Sequence, residues 1–122
     1  MKVIIPFAIL ILLSFSSCYN DSQEYLYPSL KVCDTSNVTY SVCVNLILDE
    51  TCRSCHGGNA ASGGGIKLNT YEEVMKTVDN GKLLGSIKWL NGYKQMPKGS
   101  SKLENIKIET IQKWVDNGAP NN

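Results

Sequence analysis

The segment Cys52-Arg53-Ser54-Cys55-His56 holds the residues of this chain whose types and spacing best suit chemistry. Two thiols three positions apart lie on the same side of a helical turn, and an imidazole directly follows the second thiol. This C-x-x-C-H pattern is the attachment signature of c-type haem, in which each thiol adds to a vinyl group of the porphyrin. The sequence therefore predicts one covalently bound haem c, attached at Cys52 and Cys55, with His56 as the proximal iron ligand.

A bare C-x-x-C pair also occurs in zinc sites and in thioredoxin-like redox sites. A structural zinc site needs further ligands, and the nearest cysteines, Cys33 and Cys43, lie upstream at a spacing that does not suit one. A thioredoxin-like site would need a preceding strand and a βαβ pattern around it, and the sequence shows neither. Because His56 is the single histidine, any intramolecular site built from two or three imidazoles is excluded.

The second axial position of the iron has two methionine candidates, since Met1 is expected to leave with an export signal. Met75 lies in a segment with a helical pattern, where a methionine usually fills a core. Met96 lies in a loop-like segment, and the following Pro97 stiffens the chain there. We therefore expect His56 and Met96 to be the two metal ligands, with a five-coordinate or lysine-ligated iron as the alternatives.

The N-terminus has the layout of an export signal. Lys2 is followed by an apolar run at positions 3–13, which is too short to span a bilayer, and then by small residues that lead into Cys18. This layout resembles a bacterial lipoprotein signal over residues 1–17, with Cys18 as the lipidated first residue of the mature chain. The alternative is ordinary cleavage nearby, which would leave Cys18 as a thiol. Residues 18–32 are predicted to be a membrane tether, and residues 33–122 to be the functional domain.

Length and charge exclude several classes of protein. The chain has 122 residues, which is enough for one domain, and 12 basic against 11 acidic side chains argue against nucleic-acid binding. Loss of Lys2 with the signal would make the formal balance zero. A hydrophobic content of 43% with so small a net charge also argues against a disordered chain.

Basic side chains are nevertheless concentrated in one stretch around Met96. Residues 82–102 contain no acid and five lysines, which are Lys82, Lys88, Lys94, Lys98 and Lys102. Such a stretch is either a solvated loop with incidental lysines or a basic ring that steers an acidic redox partner.

The periodicity of the chain predicts an all-α fold. Val42, Leu46 and Ile47 have helical spacing, so residues 39–50 are predicted to form a helix that runs into the attachment motif. Capping boxes predict a second helix opening at Thr70 and a last helix opening at Ser101. Between them we expect a short helix over residues 85–90. The last helix should bury Leu103, Ile106, Ile111, Trp114 and Val115 and end at Asn117-Gly118.

The glycine-rich stretch at residues 57–65 follows the attachment motif and has two interpretations. It is either a flexible turn or a place where side chains are absent because the backbone passes close to a haem edge. It lacks the Gly-Lys-Ser/Thr ending of a phosphate-binding P-loop.

Residues 33–122 resemble a small class I, mono-haem cytochrome c of the kind found as lipoprotein-linked domains in Bacteroidetes. The resemblance implies a cytochrome c fold, with about four short helices around a covalently bound haem, and the axial ligands His56 and Met96. It is carried by the opening Cys33-Asp34-Thr35, the attachment motif and the glycine-rich stretch after it, Tyr71, Met96-Pro97 and the closing Trp114-Val115-Asp116-Asn117-Gly118-Ala119-Pro120.

The chain departs from that family in its other cysteines. Many members pair the opening cysteine with one just before the last helix, but residues 103–106 contain no cysteine here, and Cys43 is additional. With Cys18 assigned to lipid, and Cys52 and Cys55 to haem, Cys33 and Cys43 are left. Two such thiols in an oxidising compartment are expected to pair, so we predict a disulfide between them.

These expectations together favour a membrane-tethered electron carrier on the periplasmic side of a bacterial cell envelope, and not an enzyme. We expect a monomer that meets redox protein partners transiently. Two alternatives stay open. In the first, Met96 dissociates and the haem serves a sensor or a peroxidase-like enzyme; in the second, the chain is a haem relay subunit of a larger redox complex.

Overall fold

The computed structural model describes residues 33–122, so the predicted signal peptide, the lipidation site Cys18 and the tether at 18–32 lie outside the described residues. The described part is helical and contains no strand, in agreement with the predicted all-α class. No helix in it is both long and apolar enough to cross a bilayer. The elements are a π-helical turn at Tyr40–Val44, α1 at Asn45–Thr51, α2 at Arg53–His56, α3 at Tyr71–Asp79, α4 at Lys82–Ile87 and α5 at Asn105–Asp116.

The first helical segment runs from the π-helical turn through α1 into α2, close to the range that the sequence predicts. Cys52 is the joint between α1 and α2, and its backbone N–H still donates to Leu48 O at 2.9 Å. One face of the segment is fully buried at Val44 and Leu48. The attachment motif is therefore held at the end of a segment that is anchored in the core.

Helix α3 begins with the capping box that the sequence predicts. The Thr70 hydroxyl accepts from the Glu73 N–H, and the Glu73 carboxylate accepts from the Thr70 N–H, both at 3.3 Å. The same carboxylate also accepts from the Asn69 N–H at 2.8 Å. These bonds satisfy backbone donors that a helix start leaves free, and they fix the end of the preceding loop as well.

The prediction of a helix over residues 85–90 was wrong in its bounds, because α4 spans Lys82–Ile87. Gly81 has a φ of 71°, which interrupts the helical backbone between α3 and α4, so α4 begins directly after it. Trp89 has a φ of 59°, which is incompatible with a right-handed helix, so α4 ends before it.

The predicted capping box at Ser101 is also wrong, since α5 begins at Asn105 after the N-cap Glu104. The Lys107 ammonium lies 3.4 Å from the Glu104 carboxylate and 3.2 Å from that of Glu50, which anchors the first turn to α1. Ile108 is buried although the sequence analysis did not assign it to the core.

The opposite end of α5 agrees with the prediction. Gly118 has a φ of 87°, and the N–H groups of Gly118 and Ala119 donate to the carbonyls of Val115 and Trp114. This pattern is a Schellman motif, which satisfies the last carbonyls of a helix.

An aromatic cluster joins the first helical segment, α3 and α5. The ring centroid of Tyr40 lies 5.1 Å from that of Tyr71 and 5.4 Å from that of the fully buried Trp114. The polar ends of two rings are satisfied as well: Tyr71 Oη donates to Ala119 O at 2.8 Å, and Trp114 Nε1 donates to Pro120 O at 2.9 Å. Because all three elements meet here, the cluster fixes the frame on which the attachment motif is held.

A disulfide ties the start of the described chain to the first helical segment. Cys33 and Cys43 are bonded, with their Cα atoms 4.9 Å apart, and both side chains are buried. This is the pair that the sequence analysis expects. The bond closes a short loop over the edge of the core.

Replacing Cys33 and Cys43 together with serine is expected to lower the free energy of unfolding by about 2–3 kcal/mol, because a short cross-linked loop restricts the unfolded chain. Urea denaturation with and without a thiol reductant measures the loss. The reductant should bring the wild type to the midpoint of the variant and should leave the variant unchanged. If the reductant left the urea midpoint of the wild type unchanged, the prediction would be contradicted.

Candidate functional site

The structure brings the two thiols and the imidazole of the attachment motif together within one helical turn. The N–H groups of Cys55 and His56 both donate to Cys52 O, at 3.1 and 2.9 Å. Neither cysteine is in a disulfide; Cys52 is half-buried and Cys55 is exposed. Both thiols are therefore free for covalent attachment of a group.

Cys52 lies against the hydrophobic core. Burial raises the pKa of the Cys52 thiol, whose sulfur lies 3.3 Å from the Thr51 hydroxyl. The thiol is therefore less ionised than an ordinary exposed one. The Thr51 hydroxyl also donates to Ile47 O at 2.6 Å, which fixes its position beside the sulfur.

The imidazole of His56 is oriented by the backbone that follows the glycine-rich stretch. His56 Nδ1 lies 2.8 Å from Ile66 O. A carbonyl oxygen can only accept, so Nδ1 carries the proton in this bond and Nε2 keeps a free lone pair. A partner of this kind on one ring nitrogen is typical of histidines that bind a metal through the other nitrogen.

Gly63 leaves room for the imidazole, and the structure gives the glycine-rich stretch a definite role at this position. A Cβ atom at Gly63 would lie 2.5 Å from His56 Nδ1 and 2.7 Å from Cys55 O. Both distances are far below van der Waals contact. The missing side chain is thus required by the histidine itself, whereas the sequence interpretation placed the close approach at a haem edge.

Arg53, inside the attachment motif, links α1 to the loop that orients His56. Its Nε donates to Leu68 O at 2.7 Å, and its Nη1 donates to the side-chain oxygens of Asn45 at 2.7 Å and Asp49 at 2.6 Å. The Leu68 N–H in turn donates to His56 O at 2.9 Å. Arg53 is not among the site residues predicted above, although the acid Asp49, four residues earlier on the same helical segment, is a visible signal in the sequence.

A second pair of hydrogen bonds closes the loop from His56 to α3. The Asn69 side chain accepts from the Gly58 N–H at 2.8 Å and donates to Gly58 O at 3.1 Å. Inside the loop, the N–H groups of Gly63 and Gly65 both donate to Ala60 O. The glycine-rich stretch is thus a hydrogen-bonded loop with a defined course.

Met96 lies in a non-helical segment between α4 and α5, as the sequence predicts. Its N–H donates to Ser86 O at 3.2 Å, and its carbonyl accepts from Trp89 Nε1 at 2.8 Å. The Met96–Pro97 peptide bond is cis. Met75, the other candidate, lies on α3 and packs against the core, as expected of a core residue.

The two predicted axial ligands are held by different parts of the structure. His56 is anchored to the loop at residues 63–68, while Met96 is anchored to α4. A cleft of about 270 Å³ separates Ile66, which orients the histidine, from the start of α4. Its charged lining consists of three lysines and one acid, which are Lys67, Lys76, Lys82 and Glu73.

Cys33 and Cys43, the cysteines nearest to the attachment motif, are bonded to each other and so are not available as ligands for a zinc site. Residues 33–122 contain no group of three or more His, Cys, Asp or Glu side chains that could hold a metal ion. A haem does not depend on such a group, since its porphyrin supplies four nitrogen ligands.

Four of the five lysines in the stretch 82–102 are exposed. Lys88 differs from the others, since it is half-buried and donates to Gln112 Oε1. Two apolar side chains of the same stretch are also exposed, Leu90 at 50% and Tyr93 at 38%. The stretch 82–102 therefore exposes four lysines and two apolar side chains, and the term basic surface below means this set of residues, Lys82, Lys94, Lys98, Lys102, Leu90 and Tyr93.

Comparison of the chain with protein-family models, with curated proteins and with solved structures found no match.

Proposed function

We propose that this chain binds one haem c covalently and transfers electrons as a mono-haem, cytochrome c-like carrier. The observation that carries the proposal is the arrangement at the attachment motif. Two free thiols and an imidazole share one helical turn, and the imidazole Nδ1 is bound to Ile66 O, so that Nε2 is available to iron.

The donor set suits haem. Cys52 and Cys55 would form the thioether bonds, and His56 and Met96 would be the axial ligands. When bound, the haem supplies a one-electron Fe(III)/Fe(II) couple. The Met96 thioether would favour the softer ferrous ion and so raise the reduction potential.

The decisive experiment is maturation of the full chain in cells that contain a cytochrome c assembly system. We expect sharp c-type absorption bands after reduction and haem that stays with the polypeptide after denaturation, because thioether bonds survive unfolding. Replacing Cys52 and Cys55 with serine should abolish this retention. Replacing Cys33 and Cys43 with serine removes the same number of cysteines, here a disulfide, and should leave the haem attached. Haem that leaves the wild type on denaturation would contradict the proposal.

The partner that the basic surface fits best is an acidic redox protein. Its four exposed lysines have no salt bridge within residues 33–122, and Leu90 and Tyr93 supply a small apolar contact. Opposite charges accelerate encounter, and transient redox contacts are small.

The lipid anchor at Cys18 and the periplasmic location stay predictions of the sequence, and labelling with radioactive palmitate tests the anchor.

The basic surface also predicts how electron transfer responds to salt. Oxidation of the reduced protein by ferricyanide, an anion, should slow severalfold as ionic strength rises, because salt screens the attraction. Lys94→Glu combined with Lys98→Glu should weaken or reverse that dependence in stopped-flow measurements. Lys113→Glu, an exposed lysine of α5 outside the surface, is the control and should have a smaller effect. A rate that does not change with salt would contradict the steering role.

A further inference from the structure

The backbone of Met96 is held at both of its polar groups, although the residue lies outside any helix. Its N–H donates to Ser86 O at 3.2 Å, and its carbonyl accepts from the indole of Trp89 at 2.8 Å. The peptide planes on either side of a residue fix the direction of its Cα–Cβ bond. Holding both groups therefore sets the direction in which the Met96 thioether leaves the backbone.

Trp89 itself has an unfavourable backbone conformation. Its φ of 59° lies in the left-handed region, which glycine adopts without steric cost and residues with bulky side chains rarely adopt. Non-glycine residues keep such a conformation only where the surrounding structure requires it, and they cluster at functional sites. Glycine would satisfy the backbone here but has no indole N–H for the Met96 carbonyl.

The turn that carries Trp89 is closed by contacts of its own. The Leu90 N–H donates to Gly85 O at 2.9 Å, and the Tyr93 ring covers Gly85 so closely that a Cβ there would lie 2.5 Å from it. The Trp89 indole thus projects from a closed turn, and its hydrogen bond to Met96 joins the next segment of chain to that turn.

We propose that Trp89 is a positioning residue for the methionine ligand: its indole N–H holds the Met96 carbonyl so that the thioether is presented to the iron and dissociates rarely. The proposal rests on the proposed function, because it requires Met96 to be the sixth ligand. It predicts that loss of this hydrogen bond makes Met96 easier to displace, while the protein still folds and binds haem.

The test compares Trp89→Phe with Trp114→Phe in the full-length, haem-containing ferric protein. Each variant keeps an aromatic ring and loses one indole hydrogen bond to a backbone carbonyl, that of Trp89 to Met96 or that of Trp114 to Pro120. Imidazole is titrated against each protein, and the weak far-red band of methionine-ligated ferric haem reports displacement of Met96. Thermal unfolding gives the loss of stability in each variant.

Trp89→Phe is expected to lower the apparent dissociation constant of imidazole about fivefold to tenfold, the range that loss of one hydrogen bond supports. Trp114→Phe should lower the melting temperature yet stay within about twofold of the wild type in the titration, because its indole holds Pro120 and not Met96. Equal imidazole constants for the wild type and Trp89→Phe, or equal shifts in both variants, would overturn the proposal. A wild type with covalent haem but no far-red band would instead overturn methionine ligation itself, and with it the role of Trp89.

Discussion

Replacing Met96 with alanine is expected to convert the ferric haem protein from low-spin to high-spin and to remove its weak far-red band. A thioether is a strong enough ligand to keep the iron six-coordinate, and alanine leaves that position to water or to nothing. Because methionine ligation favours the ferrous ion, the reduction potential should also fall by on the order of 100 mV. Absorption spectra and a potentiometric titration measure both changes.

Met75→Ala is the matched control, since it removes the other methionine of the described chain. Met75 is half-buried against the core on α3, so this variant should lose about 1–2 kcal/mol of stability and keep the wild-type spectrum. A wild type that is already high-spin, and that Met96→Ala leaves unchanged, would discard Met96 as a ligand. Binding of carbon monoxide to the reduced wild type at neutral pH would then favour the sensor or peroxidase-like alternative.

Replacing Gly63 with alanine is expected to disturb the His56 side of the proposed haem as strongly as Met96→Ala disturbs the other side. The new methyl group would lie within 2.7 Å of both the imidazole and the carbonyl of Cys55, so the ring or the motif backbone has to move. We expect about 2–3 kcal/mol of destabilisation and a low yield of haem protein with normal histidine ligation. Haem content per chain and the ferric spectrum are the measurements.

Gly64→Ala is the control for the neighbouring backbone. Gly64 has a φ of 63°, but a Cβ there meets no atom within 4 Å. The variant therefore carries backbone strain of about 1–2 kcal/mol without touching His56. Its spectrum and haem content should be normal. Similar haem loss in both variants would show that general weakening of the loop, and not contact with the imidazole, is responsible.

The parts of the fold that depend on local sequence could be predicted. The capping box at Thr70 forms because Thr70 and Glu73 are three residues apart, and no distant residue is needed for it. The end of α5 at Gly118 is equally local. The similar pattern at Ser101 does not start the helix, since α5 begins at Asn105 with Glu104 as the N-cap.

The attachment motif could be found from sequence, but the residues that orient it could not. Ile66 acts on His56 through its carbonyl oxygen, which every residue has, so its side-chain type gives no signal. Gly63 is one of several glycines in its stretch, and the sequence does not distinguish it from the others. Only the short distance from a Cβ at this position to the His56 imidazole does so. Trp89 reaches Met96 across a turn whose course depends on Gly85 and Tyr93 together.

The four cysteines of residues 33–122 are in two different oxidation states. Cys33 and Cys43 are oxidised to a disulfide and buried, whereas Cys52 and Cys55 keep free thiols, and the proposed haem attachment requires those thiols to be reduced. An oxidising compartment that forms the first pair also favours an unwanted bond between the second. If the proposed haem is attached in such a compartment, maturation calls for a reductant that reaches the exposed Cys55 while the fold buries Cys33 and Cys43.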